Sequence, residues 1–226
     1  MKVVIFAAGE GVRMRPLTLH TPKPLLRYRG QTNLDHLFSL LPPEIDEAIL
    51  VVKHLADKIK NYCGANFHGR PVHYVEGSSL GNAIGFLATR HLISEGERFA
   101  VAYGDEVFAG DEIVRCLQHK HSWNCYQAPD PTKVGVVTLD GYGKIVEVAE
   151  KPTEPKSNLA ADGFMVVNAD IFKYQPKQHA SGEYYFSELM NQFVKNHEVM
   201  AVISSPHPQL TTVEDLKKLD QPHDFS

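Results

Sequence analysis

An apolar run at residues 3–6 leads directly into a loop rich in glycine, arginine and proline, and this junction constrains the fold more than any other feature of the chain. The loop contains AAGEGVRMRPLT, residues 7–18, and is followed by Pro22-Lys23-Pro24. Glycine lets backbone N–H groups approach an anion closely, and cationic side chains add fixed positive charge at the same point. The sequence therefore predicts a strand followed by a phosphate-binding loop.

Two common phosphate-binding patterns are not met by this loop. The third glycine of G-x-G-x-x-G would fall at Met14, and no Gly-Lys-Ser/Thr follows Gly9 or Gly11 at the P-loop spacing. An ordinary basic turn between a strand and a helix is therefore the alternative interpretation of the loop taken alone.

Strand-like apolar runs alternate with helical patterns through the first half of the chain. The pattern predicts strands at 3–8, 48–53, 72–75 and 99–103, and helices at 34–41, 55–62, 80–93 and 113–119. This order predicts a mostly parallel sheet with helices on both faces. Ligands of such sheets bind beyond the carboxyl ends of the strands, where the glycine loop and Gly104-Asp105 are both expected.

The pattern changes in the second half of the chain. Residues 134–139 and 145–149 flank Asp-Gly-Tyr-Gly, which is typical of a β-hairpin turn. Further strands are predicted at 163–167 and 199–203, and helices over 186–194 and 213–219. We expect the hairpin region to form a small lobe over the sheet.

The composition excludes several classes of protein. A formal net charge of −4 and a pI near 6.3 argue against a general binder of nucleic acids or membrane surfaces. The opening apolar run is too short for a signal-peptide core or a membrane span. Cys63, Cys116 and Cys125 suit neither a disulfide framework nor a C-x-x-C zinc site. These features predict a cytoplasmic protein with reduced thiols.

The complete loop resembles the N-terminal signature of the sugar-1-phosphate nucleotidylyltransferases, also called NDP-sugar pyrophosphorylases. Their pattern runs roughly Ala-Gly-Gly-x-Gly-Thr/Ser-Arg-Leu/Met-x-Pro-Leu-Thr, then Pro-Lys-Pro, and this chain departs from it at Ala8 and Val12 without losing a charge. Tyr-Gly-Asp-Glu at residues 103–106 and Glu-Lys-Pro at residues 150–152 follow in the family order. The resemblance implies a Rossmann-like (GT-A type) three-layer α/β sandwich with a mostly parallel central sheet and a small inserted β-rich sugar-binding lobe.

The resemblance also implies a function in nucleotide-sugar biosynthesis. A Mg²⁺-dependent enzyme of this kind transfers a nucleoside monophosphate from an NTP, here preferably a pyrimidine NTP, to a sugar 1-phosphate and releases pyrophosphate. We expect one domain over residues 1–226, with a nucleotide-binding core at about 1–125 and the sugar-phosphate lobe and closing elements at about 126–226. The base, the sugar and the assembly stay open, a homo-oligomer included. No hexapeptide repeat of an acyltransferase β-helix follows, so a single activity is expected.

The resemblance assigns roles to individual residues. Arg13 would stabilise the departing pyrophosphate, Lys23 the α-phosphate and the incoming phosphate, and Asp105 the Mg²⁺ ion. The residues expected to contact the nucleotide are Ala7, Ala8, Gly9, Gly11, Glu76 and Gly81. The residues expected to contact the sugar phosphate are Gly135, Glu150, Lys151 and Gly163. Glu106 is left out, because a continuing strand would direct its side chain away from the site.

One position departs from the family pattern. Gln209 stands where a second acidic metal ligand is expected, which removes one negative charge from the site. A non-catalytic or regulatory homologue that binds an NDP-sugar is therefore one alternative. Cytidylyl transfer to a non-sugar phosphate such as phosphocholine is another, although Gly163 and the Glu-Lys-Pro element serve a sugar in the family and argue against it.

Overall fold

The computed structural model describes residues 1–108, 111–205 and 210–221 of the chain, so Gln209 lies outside the described residues. The described strands are β1 Lys2–Ala7, β2 Arg27–Tyr28, β3 Gln31–Thr32, β4 Glu47–Val52, β5 Asn66–Phe67, β6 Arg70–Glu76, β7 Arg98–Tyr103, β8 Ser122–Gln127, β9 Gly135–Leu139, β10 Ile145–Glu150, β11 Leu159–Asn168 and β12 Met200–Ile203. The described α-helices are α1 Asn33–Leu40, α2 Ala56–Cys63, α3 Asn82–Leu87, α4 Glu112–Leu117, α5 Phe186–Phe193 and α6 Val213–Leu219.

The main sheet has the spatial order β10-β9-β11-β7-β1-β4-β6-β5, and β8 pairs with both β11 and β12. Its central strands β7, β1, β4 and β6 are parallel, with Val3 opposite both Ala100 and Ala48. Parallel neighbours need long crossover connections, and the helical segments of the first half supply them. The predicted α/β class with a mostly parallel central sheet is thereby confirmed.

Both faces of the central strands are buried, which makes the fold three-layered. Val3 and Ile5 of β1 pack on the side that carries α1, α2 and α4. Val4 and Phe6 pack on the opposite side, with α3 and α5. Because side chains alternate along a strand, a continuous apolar run suits a strand that is covered on both faces. The opening apolar run therefore forms a central strand, and the glycine loop that follows it lies at the middle of the sheet edge.

The start of α1 combines a local signal with tertiary contacts. The Thr32 side chain accepts a hydrogen bond from the Asp35 backbone N–H, and the Asp35 carboxylate accepts one from the Thr32 backbone N–H, which forms a capping box. Tyr62 and His68 also contact this carboxylate. Burial would raise the pKa of Asp35, but the hydrogen bonds from His68, Thr32 and Tyr62 outweigh it and hold that pKa well below its ordinary value.

β8 has no counterpart in the sequence prediction, because polar residues interrupt its apolar pattern. Ser122 and Asn124 are nevertheless fully buried. The Ser122 hydroxyl donates a hydrogen bond to the Cys116 carbonyl at 2.8 Å, and the Asn124 amide donates one to the Asp162 carboxylate at 3.1 Å. A buried strand can therefore carry polar side chains when neighbouring elements supply their partners.

The predicted helix over 80–93 is shorter in the structure. Gly81 has a φ of 124°, so α3 begins only at Asn82. After Leu87 the chain continues as a 3-10 turn, Ala88–Leu92. The Thr89 hydroxyl donates a hydrogen bond to the Phe86 carbonyl at 2.7 Å and so competes with regular helical bonding.

The predicted hairpin is present as the antiparallel pair β9 and β10. Rather than standing over the sheet, it extends the sheet edge, because Val136 of β9 pairs with Ala160 of β11. β11 is long enough to pair with β7 through its second half and with β8 on its other side. The hairpin therefore lies beside the carboxyl ends of the central strands.

Two further observations concern membrane spans and thiols. Across the described ranges, no helix is both long and apolar enough to span a bilayer. The three cysteines, all of them described, are buried and free. Burial raises the pKa of the Cys63 thiol to about 12, so this side chain is an unreactive thiol of the core.

Candidate functional site

The loop after β1 is folded tightly on itself. Gly11 adopts the left-handed conformation, with a φ of 61°. A Cβ atom at this position would lie 2.8 Å from the Thr18 Cγ2 atom, and the Thr18 hydroxyl donates a hydrogen bond to the Gly11 carbonyl at 2.8 Å. Both the backbone conformation and the space around it therefore require glycine.

Lys23 and Asp105 meet at the carboxyl edge of the sheet. Lys23 begins a short 3-10 turn, Lys23–Leu25, and its side chain is only 10% exposed. Its Nζ atom lies 2.8 Å from an Asp105 carboxylate oxygen. Two residues that are far apart in sequence thus form one cation–carboxylate pair beside the glycine loop.

Gly104 allows Asp105 to reach this place. The Gly104 backbone N–H donates a hydrogen bond to the Phe6 carbonyl at 2.9 Å. A Cβ atom on Gly104 would lie 3.0 Å from both the Phe6 carbonyl oxygen and the Ile5 Cγ2 atom. The close packing of the segment after β7 against β1 therefore places the Asp105 carboxylate next to the loop.

Two adjoining cavities open on the Lys23–Asp105 pair. The first, of about 290 Å³, is lined from the glycine loop and from the segment between β6 and α3. The second, of about 380 Å³, is lined from β8, β9, β10, β11 and the start of α5. Five residues line both cavities and form their shared wall: Lys23, Asn82, Tyr103, Asp105 and Tyr185.

The first cavity has walls of backbone and small side chains. Of the residues predicted to contact a nucleotide, five line this cavity: Ala7, Ala8, Gly9, Gly11 and Gly81. The sixth, Glu76, is exposed at the end of β6 and does not line it. Gly77, which directly follows Glu76, also lines the cavity, and a Cβ atom there would lie 2.7 Å from the Ala8 Cβ atom. In the sequence, the Gly-Ser-Ser run after β6 is the signal that predicts this part of the cavity wall.

The second cavity contains Gly135, Glu150 and Gly163, three of the residues predicted to contact a sugar phosphate, together with Arg13. The Glu150 carboxylate accepts a hydrogen bond from the Ser187 hydroxyl at 2.7 Å. A Cβ atom on Gly135 would lie 3.3 Å from a Glu150 carboxylate oxygen, so the glycine leaves that oxygen accessible.

Lys151, the fourth of these residues, does not line the second cavity but contacts two residues that do, Glu150 and Tyr185. Its backbone is left-handed, with a φ of 43°. Its Nζ atom donates a hydrogen bond to the Tyr185 hydroxyl at 3.1 Å and lies 4.6 Å from the centre of the Tyr185 ring. Burial would lower the pKa of Lys151, but the Tyr185 hydrogen bond and the carboxylates of Glu150 and Glu183 raise it above its ordinary value. Tyr185 thus connects this ammonium group to the shared wall.

Glu106 lines the second cavity, contrary to the sequence expectation. The expectation was wrong because β7 ends at Tyr103, so strand alternation does not set the direction of a side chain three residues later. Burial, followed by the neighbouring carboxylates of Asp105 and Asp162, raises the pKa of Glu106 to about 8. A cation placed beside Glu106 would favour its ionised form.

The donor set suits a magnesium ion that is held together with substrate phosphates. Asp105 offers a hard carboxylate oxygen at the shared wall, and Mg²⁺ is commonly bound by one or two carboxylates, phosphate oxygens and water. Within the described residues, no three histidine, cysteine, aspartate or glutamate side chains gather to hold a metal by themselves. Asp105 therefore fits a metal that the substrate helps to bind.

The site lies at the edge of a mainly parallel sheet of an α/β fold. It combines a glycine loop with two adjoining cavities and a lysine–aspartate pair between them, an arrangement suited to phosphate groups. The chain belongs to the nucleotidyl transferase family, whose model matches residues 2–206. The resemblance of the motifs to this family is thereby confirmed.

The curated relatives differ in how much of their own length this chain covers. The chain is 30% identical over 206 residues to the bifunctional protein GlmU of Methanocaldococcus jannaschii, a match that covers 89% of this chain and 49% of the relative. It is 29% identical over 221 residues to the UTP–glucose-1-phosphate uridylyltransferase AglF of Haloferax volcanii, covering 90% of this chain and 87% of that one. The chain spans 49% of each of the first three curated relatives that it matches.

A solved structure shares the fold. It is a Bacillus anthracis protein with a provisional assignment as a glucose-1-phosphate thymidylyltransferase, and it superposes with a TM-score of 0.83 at 24% identity over 97% of this chain and 94% of that one. The sheet, its helical layers and the hairpin extension are therefore an architecture that known proteins adopt.

Proposed function

We propose that this chain transfers a nucleoside monophosphate from an NTP to a sugar 1-phosphate, giving an NDP-sugar and pyrophosphate. The observation that carries the proposal is the Lys23–Asp105 pair, which lies in the wall shared by the two cavities. A nucleotide in the first cavity and a sugar phosphate in the second would bring their phosphates together at this pair.

The proposed chemistry is a displacement at the α-phosphorus. The attacking phosphate oxygen is already largely ionised at neutral pH, since the second pKa of a phosphate ester is about 6. The site therefore needs no general base, and its task is to align two polyanions and to stabilise the charge that develops on them. Lys23 would contact the α-phosphate and the incoming phosphate. Arg13, which has no hydrogen-bond or ion-pair partner among the described residues, would contact the departing pyrophosphate.

Mg²⁺ is the proposed cofactor, with Asp105 as its protein ligand. When bound, the ion neutralises phosphate charge and orients the oxygens of the substrate. Lys151 would rotate from Tyr185 toward the sugar phosphate, while Glu150 would accept hydrogen bonds from sugar hydroxyls. The preference for a pyrimidine base, the contact from Glu76, the single-domain organisation, the cytoplasmic location and a homo-oligomeric assembly stay predictions.

The test is a pyrophosphate-release screen of the four NTPs and dTTP against a panel of sugar 1-phosphates at several Mg²⁺ concentrations. We expect release that depends on both substrates and on Mg²⁺. Binding of an NDP-sugar without any release would contradict the proposal and support the non-catalytic alternative. CTP-dependent release with phosphocholine, and with no sugar 1-phosphate, would support the non-sugar alternative.

A further inference from the structure

Three carboxylates line the second cavity without lining the first: Glu106, which follows β7, Glu150 at the end of β10, and Asp162 in β11. We call them the acidic wall. Arg13 and Lys133 are the cations that line the second cavity alone, among the described residues. Lys133 is 79% exposed and pairs with Asp130 at 2.7 Å, and Arg13 belongs to the loop that faces the phosphates. The acidic side chains that line the second cavity alone therefore outnumber the cations that do so.

The three carboxylates differ in their partners. Glu150 accepts the Ser187 hydroxyl at 2.7 Å and lies 3.7 Å from the Lys151 ammonium nitrogen. Asp162 is only 5% exposed and accepts hydrogen bonds from the Asn124 amide and from the Gly163 backbone N–H. The Glu106 carboxylate has no hydrogen-bond or ion-pair partner among the described residues. Glu106 is thus the member of the acidic wall whose carboxylate has no close partner among the described side chains.

Gly163 makes room for the Glu106 side chain. A Cβ atom on Gly163 would lie 2.7 Å from the Glu106 Cγ atom and 3.0 Å from its Cβ atom. The Glu106 side chain therefore packs directly over the β11 backbone, next to Asp162. Any larger residue at position 163 would displace Glu106 from the acidic wall.

Aromatic side chains complete the same cavity. Trp123 and Tyr126 of β8 and Phe186 of α5 line it together with the acidic wall. The Trp123 indole N–H donates a hydrogen bond to the Asp162 carbonyl at 2.8 Å, which holds the ring in place. Aromatic faces attract cations, and carboxylates bind ammonium groups through charge-assisted hydrogen bonds. The wall chemistry thus favours a ligand with an apolar body and a positive charge.

We propose that the second cavity selects a sugar 1-phosphate that carries an unsubstituted amino group, with Glu106 as the specificity-determining residue. This inference rests on the proposed nucleotidyl transfer and names its substrate class. Lys23 and Arg13 line the same cavity but form no ion pair with Glu106, and an ammonium substituent would give this carboxylate a cation at hydrogen-bond distance. A neutral sugar would leave this carboxylate unpaired, and a sugar with a carboxylate substituent would be repelled by the acidic wall.

The decisive experiment compares matched substrates in the pyrophosphate-release assay. Each set consists of hexose 1-phosphates that differ at one carbon, with a hydroxyl, an amino or an N-acetylamino group, at positions 2, 3, 4 and 6. The N-acetyl compounds keep the nitrogen and remove its charge. For at least one position, we expect the kcat/KM of the amino compound to exceed that of both neutral partners by at least about tenfold. Equal or better use of the neutral compounds at every position would overturn the inference.

Substitution of Glu106 tests the assigned residue. Glu106→Gln keeps the size and removes the charge, and we expect it to lower the amino-to-hydroxyl ratio of kcat/KM by at least about tenfold. Asp162→Asn should lower the same ratio. Glu147→Gln is the control, since Glu147 pairs with Lys156 at 2.8 Å and does not line the second cavity, and it should leave the ratio unchanged. Equal losses with both substrates in the Glu106 and Asp162 variants would indicate a structural role and overturn the assignment.

The outcomes separate this inference from the proposed function. Release with neutral sugar 1-phosphates alone would keep nucleotidyl transfer and overturn only the amino-sugar class. Release with phosphocholine in place of every sugar would overturn both the sugar substrate and this inference. Absence of release with all combinations would overturn the proposed function and, with it, the inference.

Discussion

The two cavities differ in the part of the chain that forms their walls. The first is built largely from backbone and small residues of two loops, among them Gly9, Gly11, Gly77 and Gly81. The second is built from charged and aromatic side chains of four strands and a helix, among them Glu150 and Trp123. Backbone N–H groups can bind phosphates in any nucleotide, whereas side chains distinguish one ligand from another. Under the proposed function, the first cavity would hold the phosphates of the nucleotide and the second would select the sugar.

Asp105 belongs to both cavities, so its loss should have the largest effect. Asp105→Asn keeps the size of the side chain but removes the charge that pairs with Lys23 and suits Mg²⁺. We expect Mg²⁺-dependent pyrophosphate release to disappear while the circular dichroism spectrum stays that of the wild type. Asp111→Asn is the control, because Asp111 is 73% exposed and pairs with Arg115 outside the cavities. Full activity of Asp105→Asn at ordinary Mg²⁺ concentrations would show that Asp105 is a turn residue with no role in binding the metal.

Lys23→Ala should lower turnover by at least about a hundredfold, because removal of one charge-stabilising donor at a phosphoryl centre commonly costs about 3 kcal/mol. The measurement is steady-state pyrophosphate release with both substrates saturating. Lys60→Ala, at an exposed position of α2, should retain the wild-type rate. A Lys23 variant as fast as the wild type would mean that the shared wall is not the reaction centre.

Gly11 tests the claim that backbone geometry builds the first cavity. Gly11→Ala places a Cβ atom 2.8 Å from Thr18 at a φ of 61°, whereas Gly96→Ala has a similar positive φ, 71°, and nothing within 4 Å. Each change should cost about 1–2 kcal/mol from the left-handed backbone. Gly11→Ala alone should lose stability beyond this backbone cost, as measured by thermal unfolding. It alone should also weaken NTP binding, as measured by calorimetry. Equal behaviour of the two variants would show that the Thr18 contact is unimportant.

The smallest effect is expected from Lys151→Ala, which should act on the second cavity alone. The apparent affinity for the sugar 1-phosphate should fall severalfold, and the calorimetric affinity for NTP should stay unchanged, since the Lys151 ammonium nitrogen lies 3.7 Å from Glu150, which lines the second cavity and not the first. Lys156→Ala, on the outer side of the hairpin region, is the matched control. An equal loss of NTP affinity would show that Lys151 does not act on the second cavity alone.

Much of the fold was predictable because its signals are short-range. The apolar run of β1, the glycines after it and the turn between β9 and β10 each depend on a few neighbouring residues. β8 was missed for the opposite reason. Its buried Ser122 hydroxyl and Asn124 amide N–H group donate hydrogen bonds to Cys116 and Asp162, which lie elsewhere in the sequence.

The amino-acid sequence by itself determined that a strand delivers a glycine loop, that Lys23 and Asp105 lie at the same sheet edge, and that the chain has the nucleotidyl transferase motifs. Only the tertiary structure decided that Glu106 enters the second cavity and that Lys151 is held by Tyr185. The physical reason is the range of the interactions involved. Backbone conformation follows from adjacent residues, but the direction of a side chain beyond a strand end depends on the space that distant residues such as Gly163 leave for it.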